Sequence, residues 1–268
     1  MTNPDGLSAQ RREYLRQRKR QRTRVLIWQA ALLVGLLGVW ELSCALGWSD
    51  GFLTSCPSRM VKTVAGLFRS GDLWRHVGTS CLETAIGFAA GTALGTAIAV
   101  GMWWSDTVSR VLDPYLVILN ALPKTALGPI FLVWMGAGMG AIIVMTLAIS
   151  LIVTILTMYE GFRSTDPEKL RLMTALGAAK GQTLRLLVLP ANYGTLLNTL
   201  RVNVGLSWVG VIMGEFLVSK AGLGYLIVYG SQVFNMDLVM AGVLLLALCA
   251  VGMYALMLWI EKIGRRQE

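Results

Sequence analysis

Charged side chains are scarce in this sequence: Asp, Glu, Lys and Arg make up 15% of it and hydrophobic residues 55%, whereas soluble domains carry about 25% charged residues. A surface with so few charges is expected to face lipid. Histidine is nearly missing. His76 stands alone, and the four cysteines, Cys44, Cys56, Cys81 and Cys249, have no CxxC spacing, so no cluster of nitrogen and sulfur ligands forms for a metal. Three of the thiols lie in apolar runs, where they behave as small hydrophobes, and no disulfide framework is expected. No lysine follows a glycine. The chain therefore lacks the Gly-Lys-Ser/Thr end of a phosphate-binding loop and has no such route to ATP. A membrane-embedded enzyme would need a converging nucleophile, base or metal. One histidine and scattered carboxylates do not supply them.

What is abundant is long apolar runs, each near the roughly 20 residues that span a bilayer as a helix. The first, Val25 to Gly47, is too long for the apolar core of a signal peptide and has no small-residue cleavage site, so it reads as an anchor. Five more follow, Thr79 to Met102, Leu112 to Trp134, Gly140 to Phe162, Asn192 to Val218 and Leu238 to Ile260. The expected fold is all-α, a polytopic bundle of about six transmembrane helices over 25–268, preceded by a basic tail over 1–24.

The net charge of +9 does not point to nucleic acid, because eight basic residues crowd between Arg11 and Arg24 beside the first span, as expected of a cytoplasmic flank facing anionic lipid. With the tail inside, Arg110, Arg163, Lys169, Arg171, Lys180, Arg185, Lys262, Arg265 and Arg266 fall on the same side. That gives 17 basic residues inside against five outside, with Lys124 and Arg201 within spans. Both termini are expected in the cytoplasm of a prokaryotic cell, the protein lying in its cell membrane. The outer segment Ser49 to Gly78 carries Val61, Val64, Leu67 and Phe68 at helical spacing and reads as a surface helix.

Within the spans, Gly87, Gly91 and Gly95 strip one helix face of side chains so that a neighbour can approach closely. The third span holds Leu122-Pro123-Lys124 and Gly128-Pro129. Prolines there remove internal hydrogen bonds, and an interrupted helix at membrane depth is tolerated beside protein or a watery passage. Arg201 lies about 14 Å into the fifth span counted from Asn192. A charge at that depth is functional by default or belongs to an internal ion pair, with Glu83 or Glu215 as candidate partners. Candidate lining of a passage comprises Asn120, Lys124, Arg201, Asn203, Ser207 and Glu215. Ionisable residues within spans are equally compatible with a self-sufficient channel or secondary transporter.

Between the fourth and fifth spans, the connection Ser164 to Pro190 is too long for a simple helix linker. It contains Asp166 as an N-cap, Pro167 at the first helical position, Glu168 in the first turn and Gly177 as a left-handed terminator. Leu170, Met173 and Leu176 would form an apolar stripe on this short helix. A second helix is expected from Ala179 to Val188. The pair would sit on the cytoplasmic face as a docking element.

Gly177 and Leu187-Val188-Leu189-Pro190 in this connection resemble the cytoplasmic loop of permease subunits of ATP-binding-cassette importers, whose pattern is Glu-Ala-Ala, three residues, Gly and a later Leu-Pro. Here Arg171-Leu172-Met173 stands at the triad. His76 to Phe88, Leu122 to Gly138, Leu200-Arg201 and Gly214-Glu215 to Gly222-Leu223-Gly224 are similar to the nitrate, taurine and sulfonate branch, in which Arg is frequent at the position of Glu83. The resemblance covers roughly Trp74 to Ile260. It implies a translocation subunit that is not itself an enzyme, a second permease copy, cytoplasmic ATPase subunits that hold ATP-Mg, and an extracytoplasmic solute-binding protein. It also implies ATPase docking through Asp166, Pro167, Leu170, Arg171, Met173, Ala175, Leu176, Gly177 and Ala178, with no cofactor in this chain.

Overall fold

The computed structural model describes residues 9–48 and 54–264. Part of the expected outer segment (49–53) and Arg265 and Arg266 of the orientation count lie outside the described residues. Compact packing divides the chain after Lys62. In the first unit, helix α1 (Ala9–Ala45) contains an apolar stretch, Thr23–Ala45, long enough to cross a membrane. Cys44 at its end is joined by a disulfide to Cys56, with Cα atoms 6.2 Å apart. This corrects the expectation of free thiols: the chain turns through left-handed Gly47 and Ser55, which returns Cys56 to the helix end across twelve residues of sequence. The Glu41 carboxylate accepts from Ser58 N (3.0 Å) and Ser58 Oγ (2.7 Å). It thereby satisfies an open amide in the first turn of helix α2 (Pro57–Ser70).

The second unit is built on α6 (Met139–Arg163), against which α3 (Asp72–Trp104) and α8 (Tyr193–Val218) make the most extensive helix packing. The packing follows from small residues. On α3, Gly87, Gly91 and Gly95 face Thr146, Ser150 and Thr154 of α6, and a Cβ at Gly95 would lie 2.6 Å from that of Thr154. The three hydroxyls bond back to carbonyls one turn earlier, Ile142 O, Thr146 O and Ser150 O, at 2.8–3.0 Å. Their polarity is satisfied inside α6, leaving a surface of small groups against the glycines. From α8, Gly210 presses on the Thr146 backbone in the same way.

Between α3 and α6 runs the interrupted span. Helix α4 (Asp106–Ala121) stops where Leu122 turns extended before Pro123. A 3₁₀ turn, Lys124–Leu127, then leads into α5 (Gly128–Met135), and the two parts are bent by 92°. Pro129 makes no second break, because it opens α5, where its missing N–H has no partner to lose. Beyond α8 come α9 (Leu223–Gln232) and α10 (Met236–Gly264). Among the described residues, five helices are long and apolar enough to cross a membrane, and the bent pair makes a sixth if counted as one span.

Candidate functional site

Helix α7 (Pro167–Ala175) forms between α6 and α8 with the caps that its sequence calls for. Asp166 accepts from Glu168 N at 2.9 Å. Its end closes as a Schellman turn: Gly177, at φ 75°, donates its N–H to Thr174 O and Ala178 donates to Met173 O, both at 3.0 Å. The chain then re-enters helix at Lys180–Thr183, widens into a π turn over Leu184–Val188 and continues through Leu189–Ala191. The wide turn accommodates Pro190, which has no N–H for the normal ladder.

The expected apolar stripe on α7 divides into two faces. Leu170 packs against Ala99, Met158, Phe162 and Val188, fastening α7 to α3 and α6. Leu176 remains 73% exposed and Leu172 58%. Met173 and Ala178 are half-buried, Arg171, Ala175 and Gly177 exposed. Lys180 anchors the other side of the loop. Its Nζ donates to Trp104 O at 2.7 Å and stands 5.7 Å from the Trp103 ring, so the last turn of α3 is tied to the loop. The loop is thus a rigid projection with its inner face locked and an apolar outer face.

The intramembrane polar residues separate into two kinds. Lys124 Nζ donates to Asn120 O and Oδ1, both at 3.2 Å, bridging the bend in the third span. Arg201 makes a bidentate pair with Glu261 of α10, Nε to Oε2 at 3.2 Å and Nη2 to Oε1 at 2.6 Å. This corrects both partners considered from sequence. Glu261 lies beyond the expected limit of the last span, yet antiparallel packing of α8 and α10 brings it level with Arg201. Asn203 is buried within the subunit, where its Nδ2 donates to Thr92 Oγ1 (3.0 Å) on α3 and Thr154 Oγ1 (2.7 Å) on α6. Ser207 is likewise fully buried.

Glu215 belongs to a cluster at the opposite end of α8 that sequence reasoning did not assemble. Its carboxylate accepts from Ser80 Oγ at 2.5 Å and Gly224 N at 2.5 Å. Ser80 Oγ accepts from Leu223 N at 2.8 Å, and His76 Nδ1 accepts from Gly222 N at 3.0 Å. Three consecutive amides at the start of α9 are therefore received by side chains from α3 and α8. The His76 ring also stacks on Tyr225, 5.8 Å between centroids. The available signal was the glycine pair flanking Leu223: a side chain at Gly224 would meet the Glu215 carboxylate at 2.8 Å.

Comparison with known proteins agrees with this architecture. Residues 91–265 match the family described as "Binding-protein-dependent transport system inner membrane component". The chain is 29% identical over 239 residues to a probable ABC transporter permease protein of Haemophilus influenzae, covering 88% of this chain and 96% of that one. It is 27% identical to the taurine transport system permease protein of Escherichia coli, covering 89% of each. Among solved structures, an amino acid ABC transporter chain superposes with a TM-score of 0.57 over 78% of this chain and 97% of that one, at 18% identity, a likeness of fold. With five or six apolar spans and this match over most of its length, the chain belongs to the inner-membrane permease family of ATP-binding-cassette importers.

Proposed function

We propose that α7 and the turn at Gly177 are the joint through which a cytoplasmic ATPase subunit moves this permease, and that two copies of the chain enclose the passage. The observation that carries the reading is Leu176, 73% exposed at the end of a helix whose two caps and inner leucine are fixed. Exposed leucines on a rigid, capped projection are suited to bury against a partner, and Leu170 relays displacement to α3 and α6. ATP is bound and hydrolysed in the partner, with Mg there. Cargo is a small solute handed over by an extracytoplasmic binding protein. On the passage side, Lys124 and Asn120 at the bend of the third span present polar groups, while Asn203 and Glu215 hold the subunit together and Ser207 is buried within it.

The orientation that goes with this reading puts both termini and α7 in the cytoplasm. The basic residues support it, and so does the Cys44–Cys56 bond, since disulfides persist in oxidising compartments and the bond lies at the end of α1 remote from the basic tail.

The test is Leu176→Asp, which places a carboxylate in the joint, alongside Gly177→Val, which forces a β-branched residue to φ 75°. Both variants should insert into the membrane at normal levels yet lose co-purifying ATPase or solute-stimulated ATP hydrolysis. Normal association together with normal coupling in both would remove α7 from the mechanism.

A further inference from the structure

Glu83 and Glu215 are two acidic side chains buried against each other, 2% and 1% exposed. Their surroundings compensate only one of them. Glu215 receives Ser80 Oγ and Gly224 N and sits at the N-terminus of α9, where the helix dipole amounts to roughly half a positive charge. Glu83 reaches the same carboxylate, and its Oε2 has no partner among the described residues. Two basic groups of the second unit are engaged elsewhere: Arg201 is held by Glu261, and His76 offers Nδ1 as an acceptor to Gly222. An uncompensated buried carboxylate is strongly unfavourable, and more so beside another.

We propose that Glu83 and Glu215 together form a binding site for one small positive charge, a proton or an alkali cation, that joins α3 to the turn between α8 and α9. The unpartnered Glu83 Oε2 supplies the open ligand atom, and Glu215 is already oriented by its two donors. Occupancy cancels the repulsion between the carboxylates and holds α3 against the start of α9. Loss of the charge would push α3 away from the two amides that His76 and Ser80 receive. The other titratable groups described around the site include Asp72, Arg75, His76 and Cys81 on α3, Tyr225 on α9 and Cys249 on α10; α6 has no titratable side chain before Tyr159. Protonating His76 would break its bond from Gly222, so its response to acid is opposite in sign to that of the carboxylate pair.

The experiment follows thermal unfolding of the full chain in lipid nanodiscs. It compares the wild type with Glu83→Gln, whose amide can donate to Glu215 without any cation. A proton site gives a wild-type Tm that rises by about 3 °C or more on acidification in choline buffer and is indifferent to sodium or potassium. An alkali site gives the same rise on adding one of those ions at fixed pH. In either case Glu83→Gln should lack the response, and Glu215→Gln serves as the second variant if the first does not fold. A wild type that responds to neither, or variants that respond as the wild type does, would overturn the proposal. Because unfolding is measured and not transport, this outcome is independent of the role given to α7.

Discussion

Arg201 illustrates how much one side chain's meaning depends on a partner far along the chain. Its guanidinium shares both oxygens of Glu261, a residue only 5% exposed, so each depends on the other for compensation in a setting with little water. We expect Arg201→Gln and Glu261→Gln each to lower Tm and yield, and the double variant to lose less than the sum of the two. Strict additivity, measured by unfolding of all three, would show that the pair is not coupled. Arg201 stood out in the sequence because a charge in an apolar run is conspicuous. Glu261 did not, because it follows the apolar run and reads there as an ordinary interfacial acid. The Glu83, Ser80 and His76 group was hidden for a related reason. Its members are spaced to share a helix face, but the amides that His76 and Ser80 receive belong to a turn more than 130 residues away.

At the level of elements, α7 was legible almost atom for atom, since caps are local: Asp166, Pro167 and Gly177 act within a turn of themselves. Its exposed face was less legible. Leu170 turns inward because α3, α6 and the π turn converge beneath it, which no local pattern encodes. The small-residue seam was visible as Gly87, Gly91 and Gly95, while its counterpart on α6 looks like unremarkable Ser and Thr in a hydrophobic run. A clear expectation attaches to Gly210. A Cβ there would lie 2.6 Å from the Thr146 Cα, a backbone atom that cannot move aside, so Gly210→Val should destabilise by about 1–3 kcal/mol or more. Gly205, on the same helix with nothing within 4 Å, should accept Ala with no loss and a gain of up to about 1 kcal/mol. Unfolding midpoints of the two variants decide this, and equal effects would mean that α8 does not touch α6 as described.

For the whole molecule, the number of spans followed from apolar length alone, whereas the 92° bend of the third span needed the structure to show that only Pro123 breaks it. The proposed orientation makes a direct prediction: reporters fused after Ala137 or Ser231 should read outside, and one after Lys180 inside. In intact cells, Cys44 and Cys56 should react with an impermeant maleimide only after reduction. Labelling without reduction, or an inside reading at Ser231, would invert or break the scheme. The seam between α3 and α6 carries one further consequence for the assembled bundle. Both helices run in the same direction and repeat small residues every four positions, like two scales with equal divisions, so Gly87 would fit Ser150 as readily as it fits Thr146. Such a pair has more than one acceptable register, and sliding by one division would carry α3 about 6 Å along α6. Asn203 breaks that degeneracy, because its single amide nitrogen reaches Thr92 and Thr154 together and can do so at only one setting of the scale.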